Sequence, residues 1–396
     1  MSRAQGIALP VAATLASQVM MSAATAALPV LAPKAAPEIG VPVAWVGLFV
    51  AVVYGSSMVC SLPAGALVRR WGAIRLSQLC LLSASAGLTL IATGHRAGAA
   101  LGAVLIGMGY GPLMPASSHL LDRVAPAHRR ATIFSIKQTG VPLGAVLAGA
   151  VLPSLAIALG WPAAMLAVGA TCVALAALLQ PIRVRCDDDR MPDAPLRLGE
   201  LAEPARLARA DRGGWPLAAA SFWYAALQLC LGTYLVAYLN GELGYDLVQA
   251  GFMLAATQAA GAAGRLLAGT LADRGTAQRV MGAMGCVMGG CALASSFAQG
   301  WPTVALLTLY ALFGASAIGW NGVYLAEVAR RAAPGTVGTA TAAALFVTFA
   351  GVLSGPAIFS LLIQSGLAYD TAFAAVGLPA LACGLFLLRR RATAAV

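Results

Sequence analysis

The sequence predicts an all-α membrane protein of twelve transmembrane helices, arranged as two pseudo-symmetric six-helix bundles. Three observations predict it. The first is composition. Of 396 residues 60% are apolar and only 10% charged, with a mean hydropathy of +0.82, whereas a soluble domain carries roughly 25% charged residues. The second is spacing. A spanning helix takes about 20 residues, and apolar runs of that length follow one another with short polar breaks, without the alternation of a membrane β-barrel. The third is repetition, because the polar punctuation of the first half recurs in the second.

Helix 1 is expected at about 7–32. It is too long for the apolar core of a signal peptide, and another span follows at once, so it is expected to be retained. Helices 2, 3 and 4 are expected at about 43–68, 76–94 and 97–121, and helices 5 and 6 at about 131–157 and 162–180. The polar stretch 181–214 is expected as an irregular cytoplasmic linker between domains 1–180 and 215–396. It holds seven acids and seven arginines and is close to neutral. Within it Leu196–Ala210 has the pattern of a membrane-surface helix interrupted at Pro204, with a solvated linker as the alternative. Helices 7 to 12 are expected at about 215–239, 247–272, 280–298, 302–326, 336–364 and 369–388, closed by Arg389, Arg390 and Arg391.

A net charge of +11 raises the question of a nucleic-acid partner, but the positions of the charges exclude it. Of 25 Lys and Arg, all but Lys34, Arg96, Lys137 and Arg265 fall in segments assigned to one side. That is the positive-inside bias, and it places both termini in the cytoplasm. The eight cysteines have no CxxC or metal spacing and are expected to pack as small residues, with no disulfide framework. The 44 glycines suit close packing between membrane helices.

The repeat is specific. Helix 2 ends in Gly65, Leu67, Arg69, Arg70, Gly72 and Arg75, and helix 8 in Gly269, Leu271, Asp273, Arg274 and Arg279. Arg129–Arg130 and Arg330–Arg331 follow helices 4 and 10, and Gly140 and Gly144 on helix 5 match Gly351 and Gly355 on helix 11. With these motifs the whole chain resembles the major facilitator superfamily of membrane transporters. The resemblance implies parallel six-helix repeats, substrate near mid-membrane between the halves, and a cytoplasmic latch at the ends of helices 2 and 8. In the latch Asp273 takes the family's acidic position and Arg274 its basic one, with Gly269, Gly65, Arg69 and Arg70 completing the gating set. The first copy departs from the pattern, since Arg69 stands where the Asp belongs. Asp122, at the end of helix 4, is expected to substitute. Simple cytoplasmic anchoring is the alternative role for these charges.

Lys137 and Arg265 are the cations inside spans, where a charge costs about 2.5–3.5 kcal/mol and usually marks a pathway or site. Lys137 lies seven residues past Arg130 and Arg265 eight before Asp273, depths of about 10 and 12 Å at 1.5 Å per residue. The resemblance implies that helices 5 and 8 adjoin, so both cations are expected at one central cavity. No Asp or Glu lies in the interior of an assigned span. A bound anion would offset the cost of two like charges at low dielectric. Arg265 also lies four residues before Gly269, similar to the helix 8 arginine of the oxalate–formate antiporter and the monocarboxylate carriers, which implies contact with a substrate carboxylate. The alternatives are that Arg265 bonds helix carbonyls and Lys137 snorkels.

Further pocket candidates are Gln18, Tyr54, Tyr110 and Gln138 in the first half. In the second they are Tyr224 and Gln228, four apart on one face, with Trp320, Asn321 and Tyr324. His119, low on helix 4, is a candidate proton carrier. The expected function is secondary or facilitative transport of a small organic anion, with a carboxylate favoured. The alternatives are a proton-coupled drug or metabolite exporter, which would want an embedded acid, and a transporter-like membrane sensor. No HExxH, GxSxG or nucleotide-binding loop occurs, so neither an enzyme nor an ATP-driven pump is expected. No cofactor or metal is implied. The expected partners are the anionic substrate, the bilayer and a proton or counter-anion. The expected setting is a monomer in a bacterial cytoplasmic (inner) membrane.

Overall fold

In lipid every backbone N–H and C=O must be bonded within its own segment, which leaves helices as the way for these apolar runs to cross. The computed structural model describes residues 3–126, 130–192, 215–274, 276–331 and 337–389, and among these it is helical with short connections. In order, the helices are α1 Arg3–Ile39, α2 Val46–Ser61, α3 Ala64–Trp71, α4 Ala73–Ala92, α5 Arg96–Val124, α6 Arg130–Gln138, α7 Gly140–Leu159, α8 Trp161–Leu178 and α9 Gln180–Cys186. They continue as α10 Trp215–Gly241, α11 Leu247–Arg274, α12 Ala277–Ala294, α13 Thr303–Arg331, α14 Val337–Gln364 and α15 Tyr369–Arg389. Eleven described segments are long and apolar enough to cross a membrane by length and composition. The twelfth expected span is α11, a helix of 28 residues. Its Gln249, Thr257, Gln258, Arg265, Thr270 and Asp273 make it the least apolar of the set.

Two spans expected as single helices are broken, and proline explains each break. Pro63 offers no N–H to the carbonyl of Val59, so α2 stops at Ser61 and α3 restarts at Ala64. Pro142 likewise leaves the carbonyl of Gln138 without its helical donor. The turn falls at Thr139, whose hydroxyl donates to the Ile136 carbonyl at 2.6 Å. Lys137 therefore sits in the last turn before a break.

The chain forms two compact units, Met1–Val43 with Val52–Glu200, and Ala44–Ala51 with Leu201–Val396. In the second, the Ala44 carbonyl accepts from the hydroxyls of Ser360 at 2.8 Å and Tyr234 at 3.1 Å, which holds that short segment against α10 and α14. The repeat read from sequence reappears as matched packing. In the first unit α7 lies on α1, with Gly140 against Gln18 and Gly144 against the backbone of Val19. In the second α14 lies on α10, with Gly351 against the backbone of Phe222 and Gly355 against Ala226. A side chain at Gly144 or Gly355 would overlap the facing helix, so these glycines set the helix separation.

The first residues of the expected linker are ordered in a way that local sequence does not indicate. Residues 180–186 form α9, and the following turn docks on the first unit. The Asp187 carboxylate accepts from the backbone N–H groups of Ile74 at 2.8 Å and Arg75 at 2.9 Å. The N–H of Met191 donates to the Arg69 carbonyl at 2.6 Å. The stretch Leu196–Ala210 lies outside the described residues.

Candidate functional site

Charge that leaves water must be compensated, so the fate of each buried ion shows where the molecule has work to do. Three charged side chains are buried among the described residues: Lys137 at 2%, Asp187 at 4% and Glu327 at 5% exposure. Two of them are fully paired. Asp187 takes its two backbone donors, with Arg183 at 3.8 Å. Glu327, near the end of α13, accepts from Arg330 at 2.7 and 2.8 Å and from Arg331 at 2.6 Å.

Lys137 is different. Its ammonium points at α5, where it meets the Met114 carbonyl at 3.4 Å, the Met114 sulfur at 3.5 Å and the Ser118 hydroxyl at 3.2 Å. These are long contacts to neutral groups, and no carboxylate pairs with it among the described residues. Gln18 of α1 faces the same joint. It is 1% exposed, and both ends of its carboxamide are buried without a hydrogen-bond partner among the described residues. Tyr54 and Tyr110 meet edge to face between α2 and α5, with ring centroids 5.4 Å apart. Gln138, next to Lys137, is half-buried. The first unit thus brings Lys137 and Gln18 to the joint of α6 and α7, and pairs the two tyrosines.

In the second unit Arg265 lies half-buried on α11. That helix is drawn tightly onto α13, where Gly264 meets the backbone of Ala315. Gln228 and Trp320 are joined, the indole N–H donating to the Gln228 amide oxygen at 3.2 Å and to the Ala317 carbonyl at 2.9 Å. Tyr324 stacks at a tilt on Trp320, centroids 5.8 Å apart, and Asn321 is half-buried beside them. Tyr224 is buried and edge-on to Trp320, and its hydroxyl is committed elsewhere. It donates to the Met281 carbonyl of α12 at 3.1 Å and fills the space above Gly285. Tyr224 and Gln228 thus both meet Trp320, the glutamine by a hydrogen bond and the tyrosine by its ring, while the tyrosine hydroxyl ties α10 to α12. A cavity of about 380 Å³ lined by Glu242, Tyr245, Gln249, Gln299 and Trp301 lies at the loops following α10 and α12, and contains none of these residues.

The gating residues divide as well. Asp273 and Arg274 are exposed at the last turn of α11, and Gly269 has open space above it. Gly65, Arg69 and Arg70 are exposed on α3. Asp122, the acid expected for the first copy, is exposed on α5. Asp187 accepts the N–H groups of Ile74 and Arg75, and Gly72 leaves room at the start of α4 that the Asp187 side chain occupies. His119 is paired with Asp189 at 2.7 Å, and both side chains are about a third exposed, at 37% and 30%. Arg123 bridges Asp188 and Asp189 at 2.5 Å each and donates to the Cys186 carbonyl at 3.1 Å. The Arg123 guanidinium holds the Asp188 carboxyl below its ordinary value.

Sequence reasoning missed Asp187, Asp189 and Glu327. The run of three aspartates after helix 6 was a visible signal for the first two. The i+3 and i+4 arginines signalled Glu327, which the expected end of helix 10 left outside the span.

The family model of the Major Facilitator Superfamily matches residues 13–356. No curated protein matches the sequence. Among solved structures, the chain is similar to a peptide transporter POT in complex with sulfate, at 16% identity and TM-score 0.75, covering 98% of this chain and 97% of that one. It is similar to a D-xylose-proton symporter at 16% identity and TM-score 0.74, with 98% of each chain covered. A third is a bacterial homologue of the human lysosomal transporter Spinster, inward-facing and occupied, at 16% identity and TM-score 0.71, covering 96% and 94%.

Proposed function

Since the chain belongs to the major facilitator superfamily of secondary transporters, we propose that its cargo is a small organic anion, most simply a carboxylate. One observation carries this reading. Lys137 is the single buried charge left without an opposite charge among the described residues, while both buried acids are compensated, Asp187 by two backbone N–H groups of α4 and Arg183, Glu327 by Arg330 and Arg331. A cation kept inside a span against a cost of about 2.5–3.5 kcal/mol marks a place where charge is wanted. Arg265 is assigned a further contact, since its planar fork suits a carboxylate. Gln228 and Asn321, both half-buried near mid-helix, are assigned polar contacts, with the buried rings of Trp320 and Tyr324 packed beside them. An exporter of organic cations would need an embedded acid free to take the cargo, and Glu327 is spent on Arg330 and Arg331.

The test is a thermal-shift screen of purified protein against mono- and dicarboxylates, with organic cations as controls. Carboxylates should stabilise the wild type. Lys137→Gln should weaken that binding roughly ten- to a hundredfold, the value of one charge-assisted hydrogen bond. Stabilisation by cations or neutral lipophiles alone would favour the exporter reading instead.

A further inference from the structure

The Gln18 carboxamide is the most anomalous polar group in the first unit. It is 1% exposed, and neither its oxygen nor its nitrogen has a partner among the described residues. Buried amides are almost always hydrogen-bonded, and one that is not calls for a ligand or an ordered water. Its stem is fixed, because a Cβ on Gly140 would meet Gln18 Cβ at 2.9 Å and Cγ at 3.0 Å. Gly140 lies three residues after Lys137, across the break at Thr139. A buried cation with long, neutral contacts and a buried amide with none thus adjoin one helix joint.

The inventory of hydrogen-bonding groups then constrains what can fill the site. Lys137 offers donors only. Gln18 offers two N–H donors and an acceptor oxygen. An unsubstituted carboxylate accepts but does not donate, so it satisfies the ammonium and the Gln18 N–H and leaves the Gln18 oxygen buried and bare. Water follows the ligand's shape and is excluded where the ligand is apolar. A cargo carrying an O–H or N–H next to its carboxylate satisfies both ends of the amide. We propose that Gln18 is a specificity-determining residue that accepts a hydrogen bond from such a donor. The preferred cargo is accordingly a hydroxy-substituted carboxylate. This rests on the anion reading for Lys137.

The experiment uses full-length protein in detergent and calorimetric titration with matched acids: butanoate, 2-hydroxybutanoate and 3-hydroxybutanoate, and butanedioate with 2-hydroxybutanedioate. In the wild type at least one hydroxy acid should bind about ten- to a hundredfold more tightly than its parent, as expected when a buried acceptor gains its donor. Gln18→Leu keeps the bulk and removes the acceptor. It should bring that ratio to about one while still binding the parent acids. If the wild type binds parent and hydroxy acids equally, this proposal falls and the anion reading stands. It falls in the same way if Gln18→Leu keeps the preference. If no acid in the panel binds the wild type, both fall together, which the parent acids alone reveal. The wild-type ratio decides the matter even where the leucine variant fails to fold.

Discussion

Replacing Asp187 by alanine should release the loop between α3 and α4 of the first unit. In the structure its carboxylate is 4% exposed and accepts two backbone N–H groups, Ile74 and Arg75, at the start of α4. It is thus an N-terminal cap delivered from a segment 113 residues away. Losing a side-chain cap costs about 1 kcal/mol. Losing a negative charge from a helix N-terminus adds about 0.3–1 kcal/mol, and more where it is partly buried. Ile74 is itself 1% exposed, so its N–H is left unsatisfied in place rather than hydrated. Together these give about 2–3 kcal/mol, which corresponds to a roughly 30- to 150-fold increase in local opening. Hydrogen exchange at the Ile74 and Arg75 amides in purified protein reads that opening directly. Asp188→Ala is the control, because that side chain is 62% exposed and bonds Arg123 rather than the N–H groups at the start of α4. Unchanged protection at Ile74 and Arg75 in the Asp187 variant, or equal loss in both variants, would refute the capping argument.

Further expectations can be checked in the same preparations. Arg265→Lys should fail to restore the carboxylate affinity lost in Arg265→Ala, because an ammonium lacks the planar fork, whereas Lys137→Arg should retain most binding; titration with one binding acid measures both. Gly355→Val should destabilise the second unit by about 1–3 kcal/mol, since the new side chain would overlap Ala226 of α10, and thermal unfolding reads it. Asp188 has its carboxyl lowered by the hydrogen bond and charge of Arg123. Its contribution is therefore present above the ordinary aspartate range and is lost only as pH falls through the lowered value. The melting difference between wild type and Asp188→Asn should persist at neutral pH and vanish in strong acid.

How much of this was legible in the sequence depends on the range of the interaction. Span positions follow from local hydropathy, and α10, α11, α14 and α15 begin and end within about two residues of their expected bounds. The repeat was legible too, because matched glycines at Gly140, Gly144, Gly351 and Gly355 make matched close approaches. The breaks at Pro63 and Pro142 were written in the sequence but masked by continuous hydropathy. At the candidate site, the residue type singled out Lys137 and Gln18. That no acid stands ready for Lys137 was legible as well, from the lack of Asp and Glu inside the assigned spans; the bare amide of Gln18 was not, since it depends on what the neighbouring helices place around it. Tyr224 shows both sides: its spacing to Gln228 suggests one face, and both meet Trp320, but the bond of its hydroxyl to the Met281 carbonyl of α12 has no local signal.

The loop between α3 and α4 shows how a departure from a repeat can be made good from elsewhere in the chain. In the second copy the acid, Asp273, sits within the motif at the end of α11. In the first copy Arg69 occupies that position, and the helix N-terminus at Ile74 and Arg75 still needs an anion. Asp187 meets the need from beyond α9, and Arg123, His119 and the Arg69 carbonyl hold the turn that carries it. An acid within the loop is fixed by the loop itself. One delivered from the connector is fixed only while the connector is docked, so cutting or loosening the chain near residue 190 should weaken α4 at its start. The connector is therefore part of the first unit's folded structure, and a variant lacking 187–191 should lose protection at Ile74 and Arg75 as fully as Asp187→Ala does.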